Sequence, residues 1–428
     1  MPVKDGGHRP CAASNPTLKR SISVSRQIIL IQIWAFCKGI ASTRLGRPCG
    51  VSHTLRKTAL SPARATLNAA FCLLPVVAQA CHSAADSPER QRVIAIATIP
   101  GAPGYDNIVR GVQLAVDRLN SQGGVSFSVG LPPDSITSPV RLAEYIRGNP
   151  AVIAVVGHPE SGNALETIPI YADAWNNGAN GVVLISQTAS SPQLRGVSPW
   201  FFRVAPSDNE AARFTAQWVA DSLLARRAAI IYRNDPYGRD WANTFSETFT
   251  QAGGSVDLRN PYLTGVTEWD AQALTLGHDK PDVVLFPGDA EDALALLRAM
   301  KKHNVETTFV GGDGTEGIAD SPAAHGAHVA AFFRADQVTG AEAEHFLDTY
   351  RSRFHEEPDG FAALSYDAAL VVGRTVLAGA DSRASLRLAL ERIGNGSPSV
   401  EGVVGRIAFD SLHDIKGRRV FLSQVKEP

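Results

Sequence analysis

From Val93 onward, short apolar runs alternate with longer stretches in which apolar positions recur every three to four residues. The runs at 93–98, 125–129, 151–156, 182–186, 228–232, 255–259, 282–286 and 307–311 predict strands, each closed by a polar or glycine-containing turn. Between them, Ile108, Val112, Ala115 and Leu119, or Trp241, Phe245 and Phe249, mark single helix faces. Strands alternating with helices and apolar on both faces imply parallel sheets. Gly123-Gly124 and Gly253-Gly254 stand where helix C-caps belong, each before a strand, so the chain reads as two similar α/β halves. After Phe333 the pattern turns to helices alone, at 341–354, 361–378 and 382–393. It closes with an expected strand pair, 403–409 and 419–425, joined by a polar turn at 414–417.

Residues 184–208 break this rhythm. The strand ending at Ile185 runs into hydroxyls at Ser186, Thr188, Ser190 and Ser191 and stops at Pro192. Such a segment has finished packing and begun to present donors, which predicts a ligand-facing loop. A second apolar run, Trp200 to Val204, precedes Pro206 and an expected capping box of Ser207 with Glu210. That segment predicts a crossing into another domain.

A chain of 428 residues suits two or three domains. The net charge of −1 hides an asymmetry: residues 1–81 hold 11 Lys or Arg against Asp5 alone, leaving 30 basic and 41 acidic residues in the body. An acidic body argues against nucleic acid as partner. All five cysteines (Cys11, Cys37, Cys49, Cys72, Cys81) lie in the N-terminal segment, so the body has no disulfide, thiol chemistry or cysteine-based metal site. Residues 55–80 carry Arg56, Lys57 and Arg64, an apolar run and Ala78-Gln79-Ala80, the layout of a secretory signal. Cys81 also resembles a lipoprotein cleavage box, with Ala78 where that box usually has Leu. Residues 1–54 do not fit a bacterial export signal, although the apolar stretch 28–36 is a rival to the one at 55–80. Either signal places the body outside the cytoplasm.

Catalytic motifs do not assemble. There is no G-x-S-x-G, P-loop or H-E-x-x-H, and His355-Glu356-Glu357-Pro358 has the wrong spacing and a helix breaker. Residues 312–317 read G-x-G-x-x-G after a strand, but Asp313 and Glu316 would face a pyrophosphate and Pro322 interrupts the helix that should follow. The expectation is a protein that is not an enzyme and carries no cofactor or metal.

Several motifs in order carry a family resemblance. VVGHPESGNAL, SQTASSPQL, FRVAPSDNEAA, NDPYG, FVGGDG, ALSYDAAL and IAFD resemble the branched-chain amino acid (leucine/isoleucine/valine) periplasmic binding proteins, the type I solute-binding proteins of ABC importers. The resemblance runs from about Arg92 to the C-terminus. It implies an α/β fold of two doubly wound parallel-sheet domains joined by three hinge crossings, near Ala205, Phe333 and Arg406. The expected division is a leader, signal and linker at 1–91, an N-terminal domain of 92–205 plus 334–405, and a C-terminal domain of 206–333 plus 406–428.

The same resemblance assigns ligand-binding roles. Ser161 falls on the serine that binds the ligand's α-carboxylate, though an N-cap worth about 1 kcal/mol explains a serine there equally well. Thr188, Ala189 and Ser190 match the loop that holds the carboxylate and ammonium; a plain Ser- and Pro-rich turn is the alternative. Tyr237 matches a tyrosine covering the ligand and Tyr105 an aromatic at the cleft mouth, where simple packing is the rival reading. Asp313 matches the acid that pairs with the α-ammonium, flanked by glycines that let the backbone come close. Asp289 stands where the family commonly has an aromatic or apolar side chain, unless the match slips to Ala290 and Asp289 only caps the helix at 290–302. The implied function is capture of a small amino acid, amide or carboxylate by a monomer that delivers it to ABC permease membrane subunits. The alternative is a ligand-sensing receptor or regulator of the same fold.

Overall fold

The computed structural model describes residues 91–426, apart from Val266 and Asp320. The expected signal segments and all five cysteines lie outside the described residues.

Strand β1 (Arg92–Ala97) shows why the layers form. Ile94 and Ile96 join the apolar cluster of Ile108, Val112 and Leu119, whereas Ala95 and Ala97 join that of Leu142, Ile146 and Ile168 on the opposite face. With α1 (Tyr105–Asn120), β2 (Phe127–Gly130), α2 (Pro139–Gly148), β3 (Val152–Gly157), α3 (Ser161–Tyr171), β4 (Val183–Ser186) and β5 (Phe201–Arg203) it builds a sheet ordered β2-β1-β3-β4-β5, parallel throughout.

The chain then leaves this sheet. It continues as α4 (Asp208–Asp221), β6 (Arg227–Arg233), α5 (Pro236–Gln251), β7 (Ser255–Tyr262), α6 (Trp269–Asp279), β8 (Val283–Phe286), α7 (Ala290–Lys302), β9 (Thr308–Gly311) and β10 (His328–Ala331). Here too alternate residues part: Ala228 and Ile230 pack with Trp241 and Phe245, Ala229 and Ile231 with Leu276 and Leu296. Three helices follow, α8 (Ala341–Phe354), α9 (Gly360–Leu377) and α10 (Arg383–Arg392). They return to the first sheet, where α9 packs along α1 and Arg383 donates to the Val152 carbonyl at 2.8 Å. Helix α9 is long and apolar enough to span a membrane, but most of it is buried inside the protein, as a core helix should be. The chain ends with β11 (Val400–Gly402), β12 (Gly405–Ile407) and β13 (Phe421–Gln424). The second sheet is ordered β13-β10-β9-β8-β6-β7, with β13 antiparallel to β10 and the other pairs parallel.

Three local expectations need correction. Ser207 is the N-cap residue of α4, but its side chain accepts no cap hydrogen bond; the Glu210 N–H bonds to the Ser207 carbonyl instead, so the capping box does not form. The closing strands do not pair with each other: β12 forms a hairpin with β11, and β13 completes the edge of the second sheet. Strand β10 has no counterpart among the predicted strands. Elsewhere helix starts follow local chemistry, as where Asp235 accepts from the Gly238 N–H at 2.8 Å with Pro236 at the first helical position.

Candidate functional site

The C-terminal ends of β3 and β4 bring the hydroxyl residues together. Ser161 is the first residue of α3, almost fully buried, and its Oγ accepts from the Ser191 N–H at 3.1 Å. The Thr188 hydroxyl donates to the Pro159 carbonyl at 3.0 Å, and the Ala189 N–H donates to Ser186 Oγ at 3.0 Å. The loop after β4 is therefore strapped to the start of α3. Beneath it, Arg203, at the end of β5 and without solvent exposure, donates from Nη1 to the carbonyls of Ser190 (2.7 Å) and Ser191 (2.9 Å), and from Nε and Nη2 to Asp414. A charged residue inside the apolar run WFFRVA was the signal for this anchor.

The second sheet supplies the facing groups. Tyr237, in the first turn of α5, donates its hydroxyl to Asp313 Oδ1 at 3.0 Å and accepts from the Gly314 N–H at 3.1 Å. The glycines around Asp313 are required: a Cβ on Gly312 would stand 2.5 Å from Tyr237 Oη, and one on Gly314 2.6 Å from the Gly288 carbonyl oxygen. Residues Asp313–Ile318 form a 3-10 turn rather than the α-helix a dinucleotide fingerprint needs. Burial lifts the Asp313 carboxyl to about 6 and raises the Tyr237 phenol, which also faces Asp313.

The two halves meet here. Ser191 Oγ and Gln193 Nε2 both donate to Asp240 of α5. Between the loop and Asp313 lies Asp208, the first residue of α4, which the sequence reading passed over because an acid in a first helical turn looks like a macrodipole residue. It is fully buried, and neither carboxylate oxygen has a hydrogen-bond partner. Ser190 Oγ, beside it, is likewise buried, and its hydroxyl faces the Asp208 carboxylate. Burial and the neighbouring Asp313 hold the Asp208 carboxyl well above the usual range.

Two further expected positions lie differently. Asp289 is the N-cap residue of α7 but does not cap it; its two oxygens both take Arg233 Nη1 at 2.6 Å. Arg233 also pairs with Asp235 and stands over the Tyr237 ring, its Cζ 5.7 Å from the centroid. Glu160, next to Ser161, lies in the field of Arg233, Asp289 and Asp235, and burial raises its carboxyl. Tyr105 begins α1 in a recess of about 280 Å³ lined by Gly101, Ala102 and Gly104, near Asp134 and Asp106.

Two α/β halves that place polar groups from the strand ends of both sheets at their junction define a cleft-type binding protein. The chain belongs to the periplasmic binding protein family, whose model matches residues 94–427, and it is a solute-binding protein of that family. It is 29% identical over 234 residues to the Leu/Ile/Val-binding protein BraC3 of Rhizobium johnstonii, a match covering 52% of this chain and 60% of that protein. Solved structures give the fold. The branched-chain amino acid transporter substrate binding protein LivJ of Streptococcus pneumoniae, in complex with isoleucine, superposes with a TM-score of 0.70 at 23% identity, covering 78% of this chain and 96% of that one. A solute-binding protein of an R. palustris ABC transporter in complex with benzoate gives 0.68 at 20% identity, covering 78% and 93%. The type I fold and the family resemblance read from the sequence are thus borne out.

Proposed function

We propose that the protein captures an amino acid or a closely related amide between two domains, one on each sheet, and passes it to the membrane subunits of an ABC importer from outside the cytoplasm. The domains would be 92–205 with 334–405 and 206–333 with 406–428, hinged at the three crossings. A single chain supplies both walls of the cleft, so it works as a monomer. The observation that carries the reading is the junction of Ser161, Thr188, Ala189 and Ser190 with Tyr237 and Asp313. Hydroxyls and a helix N-terminus suit a carboxylate, and a half-buried acid suits an ammonium. BraC3 and LivJ are named for branched-chain amino acids. In this chain, however, Glu160, Arg233 and Asp289 bring charge to the same junction, and a leucine-like side chain meeting them would strand groups that must be solvated or paired.

A thermal-shift screen of the common amino acids, their amides and simple carboxylates tests this. Ligand at about a hundred times its dissociation constant adds roughly 2.7 kcal/mol to stability. Stabilisation by amino acids with a polar side-chain end, ahead of leucine, isoleucine and valine, is expected. If leucine ranks first, Glu160, Arg233 and Asp289 do not face the solute, and if no amino acid or amide stabilises, the ligand class is wrong.

A further inference from the structure

We propose that Glu160 and Arg233 form the seat for the far end of the solute, one from each half, and that the end group they select is a primary carboxamide. The proposal deepens the amino-acid reading above and rests on it for the rest of the ligand.

Glu160 and Asp289 are both N-cap residues that do not cap. Acids at such positions ordinarily accept from the first-turn N–H groups of their own helix, yet neither side chain caps α3 or α7. Both turn to the junction instead: Asp289 to Arg233, and Glu160 into the field of Arg233, Asp289 and Asp235. The backbones approach closely here, since a Cβ built on Gly162 would lie 3.8 Å from Pro236 Cδ. Arg233 is fixed in place. Its Nε and Nη2 go to Asp235 at 2.7 and 2.6 Å and its Nη1 to Asp289 at 2.6 Å. Its Cζ stands 5.7 Å from the centroid of Tyr237, the ring whose hydroxyl meets Asp313. A guanidinium has five N–H groups, so donor capacity remains at Nη2. On the facing side Asn163 Nδ2 donates to Glu160 Oε2, which leaves Oε1 to accept. Among the described residues, Arg233 pairs within 4 Å with Asp235 and Asp289 and not with Glu160. A donor and an acceptor thus face each other across the junction without closing on each other, as a bridging group requires.

A primary carboxamide carries donor and acceptor on one carbon, so its NH2 can give to Glu160 while its oxygen takes Arg233. Other end groups each strand one partner. A distal ammonium satisfies Glu160 but meets Arg233, and a distal carboxylate satisfies Arg233 but meets Glu160, Asp235 and Asp289. A branched alkyl end satisfies neither and desolvates both. Sites built to hydrogen-bond a ligand group reject analogues that lack it far more strongly than apolar pockets reject a methyl group.

Calorimetry on wild type and Glu160→Gln with L-glutamine, L-glutamate, L-lysine, L-leucine and L-alanine tests the seat. Wild type should bind L-glutamine roughly tenfold or more tightly than the other four, the scale of charge-assisted hydrogen bonds. Glu160→Gln should weaken L-glutamine by about tenfold and L-alanine, which is too short to reach the seat, far less. It should also narrow the gap between L-glutamine and L-glutamate, because a repelling carboxylate is gone. Arg233→Lys, which keeps the charge but not the planar fork, should likewise cost L-glutamine more than L-alanine. Equal losses for these two ligands would make the residues structural and overturn the proposal, as would tighter binding of L-lysine, L-glutamate or L-leucine than of L-glutamine to wild type. If wild type binds none of the five, the amino-acid reading fails by itself. Butyramide against butyrate and butylamine in a thermal-shift assay then judges the seat, and no preference for the amide overturns it.

Discussion

Glu316 shows how one carboxyl can connect both halves of the molecule. It stands on the turn after β9, in the second-sheet half, with its carboxyl against Gly360, the first residue of α9 in the other half, where an added Cβ would stand 2.5 Å from Oε2. A helix N-terminus favours the carboxylate, yet burial and the nearby Asp359 and Asp313 outweigh it and push the group up to about 8. Glu316 is therefore largely protonated at neutral pH. A folded value above the ordinary glutamate value of 4.5 means that its contribution to stability is full below about 4.5 and is lost as pH rises through about 8. Urea denaturation of the ligand-free protein should accordingly show stability falling across that interval, and Glu316→Gln should flatten part of the fall. A variant whose pH profile matches wild type would mean that water reaches Glu316 freely.

At the scale of elements, the segment between β12 and β13 fastens the first crossing through Asp414, which takes both the buried Arg203 and the more exposed Arg195, and through Asp410, which also takes Arg195. Arg203, at the end of β5, has no solvent exposure, and its bond to Asp414 is bidentate at 2.7 and 2.8 Å. Removing one member of a buried pair strands the other, so Asp414→Asn should cost about 3 kcal/mol or more by urea denaturation. Replacing both, as Arg203→Met with Asp414→Leu, should recover much of the loss without restoring ligand binding, because Arg203 also holds the Ser190 and Ser191 carbonyls. A cost below about 0.5 kcal/mol for Asp414→Asn would show the pair to be solvated. The same elements show what the sequence can disclose. Helices α7 and α8 begin and end where their apolar periodicity does, and the inner strands β1, β3, β4, β6, β8 and β9 read as apolar runs because both their faces are covered, whereas the edge strand β7 alternates exposed and half-buried residues. Strand β10 escaped because its residues, His-Val-Ala-Ala, merge into an alanine-rich stretch with no strand-like contrast. The partner of β13 escaped because edge pairing is decided by where the chain crosses, which no local pattern records. In the site, Ser161, Thr188 and Ser190 stood out as hydroxyls following a strand. Asp208 and Asp313 could not be matched in advance, since neither carries a mark of its distant neighbour.

For the whole molecule, one apolar cluster runs through both halves, and beside it their junction carries polar pairs: Ser191 and Gln193 meet Asp240, Glu316 meets Gly360, and Glu160 faces Arg233. The polar pairs exchange readily with water and add little to what holds the halves together. Between them lie the acids Asp208 and Asp313, each raised by burial, and on the proposed reading they would oppose closure once ionised. In the proposed reading the three crossings would act as hinges, and ligand contacts made only in the closed state would supply the free energy of closure. In solution scattering, the radius of gyration should fall when a solute that stabilises the protein in the thermal screen is added to saturation. The contraction should be larger at about pH 8, where the empty cleft is most charged, than at about pH 5, where the acids hold protons of their own. A radius of gyration unchanged by saturating ligand at both pH values would contradict hinge closure. An equal contraction at both would leave the hinge intact and remove the acids as the force that holds the empty cleft open.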